Sequence, residues 1–141
     1  MNTTTLVTLL QIAGILHLSL AWAGLTMPKV VGLSEHLAVV PPFIRRLFYV
    51  YYTFIAMSLV GFGAMTFFCA KALAAGGPLA SAVCLFLTAF WTVRLVAAAF
   101  IFDVRPYLTS GLLRLGYHAT NLVFIYLLAV YVLTLWKGDA L

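Results

Sequence analysis

Two ionisable side chains stand deep inside apolar stretches of this sequence, His17 and Arg94. An imidazole in such a place can donate, accept or ligate with its ring nitrogens. A guanidinium offers a planar fork of N–H donors that suits carboxylate, phosphate or carbonyl oxygens. Charged groups are costly within a bilayer, and where they occur they mark binding sites, relays or internal partners. Around His17 the positions three and four residues away are Ala13, Gly14 and Ala21, with Gly24 one turn further. A histidine centred on small residues faces a packed neighbour or a cavity rather than lipid, so it reads equally as a ligand-binding group or an interhelical hydrogen-bonder. Arg94 has Phe90 and Trp91 on one side and Ala97 and Ala98 on the other. Helical side chains lean toward their own N-terminus. Arg94 is therefore expected to meet an internal partner or the face of Phe90 or Trp91, with snorkelling to the membrane surface as the plainer reading.

A second group of polar residues gathers near the ends of the same apolar runs: Tyr52, His118, Asn121 and Asp103. His118 and Asn121 are three apart and share a helix face. With Arg94 and His17 they are the expected ligand-binding residues, forming a polar pocket in which Asp103 or a ligand supplies the counter-charge. Tyr and Trp near span ends also build ordinary aromatic belts, the reading that fits Phe48 and Tyr51. No catalytic residue and no metal ligand set is assigned. Haem b would need two axial histidines at one height. At ~1.5 Å of rise per residue, His17 and Arg94 share a depth of about 12–14 Å, whereas His118 is displaced by about 10–12 Å. Haem b is thus disfavoured, and a lipid or quinone is the better-suited ligand. Cys69 and Cys84 form no C-x-x-C unit and read as unpaired, inert thiols.

The elements that must position these groups are four apolar runs, spanning about residues 6–27, 47–70, 79–102 and 117–136. Each is near the ~20 residues that a helix needs to cross a hydrocarbon core. Prolines punctuate the runs at Pro28, Pro41-Pro42, Pro78 and Pro106, and Gly76-Gly77-Pro78 reads as a tight turn that closes a helical hairpin. In span two Ser58, Gly61 and Gly63, and in span three Ala80, Ser81 and Ala89, suit close helix packing. The first loop carries Leu33, Leu37 and Val40 at helical spacing, with Glu35 and His36 between them, as in a short interfacial helix. The expected fold is an all-α integral membrane protein. It has four transmembrane helices in a single up-down antiparallel bundle (1–141), and a short interfacial helix in the first loop.

Composition agrees. Hydrophobic residues make up 65% of the 141 and charged residues only 8%, against about 45–50% and about 25% in soluble domains. A mean hydropathy of +1.14 leaves too little polar surface for a water-soluble globule. The net charge of +5 is not a nucleic-acid footprint, because the bases sit mostly singly at span ends, where they set topology and meet anionic headgroups. Lys29, Arg45, Arg46, Arg105 and Arg114 fall in the first and third loops, and only Lys71 and Lys137 on the other side. Positive loops stay cytoplasmic, which places both termini on the non-cytoplasmic side of a plasma or inner membrane. Ala21-Trp22-Ala23 has the form of a signal-peptidase site, but no basic residue precedes it and the apolar run continues through Met27, so cleavage after Ala23 is not expected.

No motif names a reaction. Small size, short loops and polar groups in an apolar slot point to an accessory or assembly subunit of a larger membrane complex, or to a lipid- or quinone-binding protein. Its partners are then membrane lipids, and other membrane proteins or further copies of itself. The alternatives are a membrane-embedded redox or transferase enzyme and an oligomeric small transporter. No Asp or Glu lies within a span to couple protons for transport. In gross layout the chain is similar to the membrane-associated eicosanoid and glutathione transferases. The Arg- and Asn-bearing second-helix motif of that family is absent, so Arg94 is not carried over as a glutathione ligand.

Overall fold

The computed structural model describes residues 2–139. It is all helical, 88% helix, with no strand among the described residues. Six helices follow in order: α1 (Thr3–Val30), α2 (Leu33–Ala38), α3 (Pro42–Phe68), α4 (Ala70–Ala75), α5 (Pro78–Phe100) and α6 (Gly111–Asp139), with a single 3₁₀ turn at Arg105–Tyr107. Four of them, α1, α3, α5 and α6, are long and apolar enough to cross a membrane.

Proline opens α3 and α5 at their first turns, where the missing N–H is no loss and the fixed φ already suits a helix. Between α4 and α5, Gly76 and Gly77 adopt φ of 80° and 105°, a conformation that side chains disfavour and glycine permits. Gly32, at φ 61°, turns the chain from α1 into α2 in the same way. The helices outrun the apolar stretches. α1 continues through Pro28 to Val30, α3 begins at Pro42, and α6 begins at Gly111. Hydropathy marks only the apolar part of each helix, whereas backbone hydrogen bonding continues into the flanks. The second run is also divided at Cys69, where φ −95° and ψ 13° turn the axis. The backbone bonds Cys69 N–H to Met65 and Leu73 N–H to Cys69 persist across the bend, both 2.9 Å. The first-loop helix is present but shorter than its spacing suggests, Leu33–Ala38, with Leu37 buried and Glu35 and His36 exposed.

α1 is the central element, packing on α3, α4 and α6, while α5 packs on α6. α1 and α3 approach most closely at Gly14 and Gly63. A Cβ on Gly14 would lie 2.8 Å from the Gly63 carbonyl oxygen and 2.7 Å from Phe67 Cβ. The small residues at these two positions thus let the backbones touch, as van der Waals packing between apolar helices requires. Gly24 and Gly61, in the same helices, have open space where a Cβ would stand.

Burial is lopsided along the helices. Apart from Leu37, every buried residue lies within 6–21, 63–74, 84–91 or 124–134. The adjoining stretches 22–30, 42–62, 92–100 and 111–123 contain none. Those stretches carry exposed Trp22, Phe43, Tyr51, Phe54, Val93 and Leu112. A water-soluble monomer rarely shows so continuous an apolar exterior.

Candidate functional site

The polar residues sort into two layers. The first lies in the buried half and draws one side chain from each long helix. His17 of α1 is fully buried. Its Nδ1 is 2.7 Å from the Ala13 carbonyl oxygen, and its Nε2 is 3.2 Å from Trp91 Nε1 of α5. A carbonyl can only accept and an indole N–H can only donate. Both contacts are therefore satisfied by one species, the neutral imidazole with its proton on Nδ1. The rings of Trp91, Tyr131 and Phe62 meet the imidazole edge-on, with centroids at 5.2, 6.1 and 6.4 Å. Beside them Thr66 of α3 and Tyr131 of α6 share a hydroxyl hydrogen bond of 2.7 Å. His17, Trp91, Thr66 and Tyr131 thus each have a partner within the chain, as burial demands.

The second layer lies between α5 and α6, where the buried stretches give way to those without buried residues, and centres on Arg94. The guanidinium carbon sits 4.9 Å from the Phe124 ring centroid and 5.3 Å from that of Phe102. Phe102 lies beyond the end of α5 and is folded back by its N–H bond to the Ala97 carbonyl, 3.1 Å. Arg94 thus turns toward the end of its helix and covers Phe102 and Phe124, not Phe90 or Trp91 as the lean of a helical side chain suggests. Its long stem allows this reversal, and the folded-back Phe102 supplies a face to meet. Phe124 also stacks on Trp91 at 5.3 Å and 27°, linking the two layers. Arg94 Nη1 is buried and has no hydrogen-bond partner.

The other expected site residues divide. Asn121 is half-buried on α6, three residues before Phe124, and donates through Nδ2 to the Tyr117 carbonyl at 3.1 Å. It therefore lies one turn from Phe124 on α6, and this bond does not use its side-chain carbonyl oxygen. Tyr52 lies elsewhere, on the seam of α1 and α3, and its hydroxyl donates to the Gly24 carbonyl. Pro28 explains that bond. Having no N–H, it leaves the carbonyl four residues earlier without an intrahelical donor, and Tyr52 fills the place. His118 is exposed and touches only the Tyr117 ring among aromatic neighbours, at 5.5 Å. It does not join His17. Asp103 is exposed, and its carboxylate accepts the Arg105 backbone N–H at 3.2 Å. It leaves Nη1 of Arg94 unmatched.

Trp91 as the partner of His17, and the Thr66–Tyr131 pair, do not stand out in the sequence. A Thr or Tyr deep in an apolar run is the only signal, and it does not say which neighbour it meets. Cys69 is exposed, Cys84 is buried, and both are free thiols. Among the described residues no three His, Cys, Asp or Glu side chains are grouped to hold a metal ion. Compared with protein families, curated proteins and solved structures, the chain matches none of them.

The site can thus do one thing that its own residues do not complete. Arg94 presents a buried N–H group to whatever oxygen reaches the α5–α6 seam. An unpaired buried donor costs about 1–3 kcal/mol, and more when it is charged, so an oxygen ligand there recovers a substantial penalty.

Proposed function

We propose that this chain is a multi-pass membrane protein of non-catalytic function, an up-down antiparallel four-helix bundle that holds a lipid-like ligand at Arg94. It would serve as an accessory or assembly subunit of a larger membrane complex, or as a lipid- or quinone-binding protein. The observation that carries this reading is the buried, unpartnered Nη1 of Arg94. Two phenyl faces hold the guanidinium in place, and Asn121, one turn before Phe124 on α6, would be the second polar group of the site. Four apolar helices of membrane-spanning length support insertion. The cross-contacts of Gly14 with Gly63, Tyr52 with Gly24, and Lys137 with Thr3 support the antiparallel arrangement. The loop bases Lys29, Arg45, Arg46, Arg105 and Arg114 support a cytoplasmic position for the end that carries Arg94, with both termini outside.

His17 takes a structural role in this reading. Its two nitrogens are engaged by Ala13 and Trp91, so it locks α1 to α5 rather than binding a ligand. The test is extraction. The wild-type protein and Arg94→Gln and Arg94→Lys variants are purified gently, and the lipids and quinones recovered per chain are quantified by mass spectrometry. The wild type and Arg94→Lys should retain one compound that Arg94→Gln loses by about tenfold or more, the factor expected from one charge-assisted hydrogen bond. Equal retention by all three refutes ligand binding at Arg94.

A further inference from the structure

We infer that the group Arg94 takes is the anionic headgroup of a membrane lipid, drawn from the leaflet at the basic end of the bundle and admitted sideways between α3 and α5. This rests on the ligand-binding reading above and narrows it from any oxygen-bearing amphiphile to one of stated charge and origin.

The charge follows from what surrounds the guanidinium. The faces nearest it are phenyl rings, Nη1 has no acceptor, and Asp103, the acid nearest to it in sequence, is turned to the Arg105 backbone. A neutral carbonyl would satisfy the hydrogen bond but leave the positive charge, set over two phenyl rings, uncompensated. A phosphate or carboxylate satisfies both.

The route follows from burial. α3 and α5 meet where Phe62 packs on Phe86 and Phe90, with centroids at 5.7 and 5.3 Å. Toward the basic end, α3 before Gly63 and α5 after Trp91 have no buried residue, and Val93, one residue before Arg94 on α5, stands exposed. An acyl chain can lie along such a surface, whereas a soluble anion would cross apolar surface to reach the guanidinium. The open groove beside Tyr49, Thr53 and Met57 is a different feature. At 100° per residue Thr53 is diametrically opposite Phe62, on the flank of α3 turned away from α5.

The leaflet follows from the loops. Lys29, Arg46, Arg105 and Arg114 are exposed at the same end as Arg94, with Arg45 half-buried beside them. Such bases enrich anionic lipid at that end of the bundle.

Trp91 is a built-in reporter, because Phe124 stacks on it and underlies Arg94. Trp22 and Trp136 are exposed and can be removed by Trp22→Phe and Trp136→Phe. This protein is reconstituted in phosphatidylcholine vesicles carrying a small fraction of chain-brominated phosphatidylglycerol or chain-brominated phosphatidylcholine, and Trp91 fluorescence is measured. Brominated phosphatidylglycerol should quench at a mole fraction about tenfold lower than brominated phosphatidylcholine. Arg94→Gln should abolish that preference, Arg94→Lys should keep most of it, and excess glycerol 3-phosphate should leave it unchanged. Equal quenching by the two lipids overturns the inference, as does a preference that survives Arg94→Gln. Loss of the preference in glycerol 3-phosphate overturns the lipid as the source of the anion. If equal quenching accompanies Arg94-dependent retention of a neutral quinone in the extraction above, only the anionic-lipid assignment falls. If nothing is retained through Arg94, both readings fall.

Discussion

At the scale of single residues, the two ionisable groups set within apolar runs have opposite circumstances. His17 is complete, with an acceptor on one nitrogen and a donor on the other. Arg94 is incomplete. The difference yields a prediction for His17: its value lies in Trp91, and the two should be energetically coupled. His17→Leu and Trp91→Phe should each destabilise the protein in mild detergent, and the double variant should lose less than the sum. The coupling should fall in the range of about 0.6–1.7 kcal/mol known for interhelical hydrogen bonds in membranes. Strict additivity in this double-mutant cycle would mean that the contact contributes nothing. The sequence already marked both residues as exceptional, because charge inside an apolar run is visible without a structure. It could not show which of them is satisfied. The answer depends on the rotation of α5, which brings Trp91 to His17 and turns Arg94 toward Phe102 and Phe124.

Among the elements, α1 and α3 are joined by two devices that differ in how openly the sequence displays them. The close approach at Gly14 and Gly63 follows from small residues at helical spacing and is legible as a pattern, although Gly24 and Gly61 fit the same pattern and have open space where a Cβ would stand. The bond from Tyr52 to the Gly24 carbonyl is less legible. It arises because α1 runs on through Pro28 instead of ending before it, and a proline close behind an apolar run reads as a stop. Proline at this position orphans one carbonyl, and a phenol from the next helix satisfies it. Tyr52→Phe should therefore cost about 1 kcal/mol of stability. In a Pro28→Ala background, where the restored backbone N–H can donate to the Gly24 carbonyl, the same substitution should cost less than about half of that. Chemical unfolding in detergent of the two pairs of proteins measures the difference. An equal cost in both backgrounds would show that Pro28 does not create the need for Tyr52.

For the whole molecule, the four apolar helices were readable from length and hydropathy, and their ends were not. The unequal distribution of burial was not readable either, since the stretches without buried residues also carry large apolar side chains such as Trp22, Phe54 and Val93. One half is closed around His17, Trp91, Thr66 and Tyr131. The other half carries Arg94, the loop bases and no buried residue of α1, α3, α5 or α6. In the proposed reading, the half of the bundle around the unmatched Arg94 is completed by a ligand. Native mass spectrometry of the intact particle, released from its membrane in mild detergent, tests this most directly. The wild-type chain should carry a defined additional mass, a lipid-like ligand with or without a partner chain, and Arg94→Gln should strip the ligand mass while the protein still inserts. A wild-type particle with the mass of the bare chain, or an added mass that Arg94→Gln leaves in place, would contradict it.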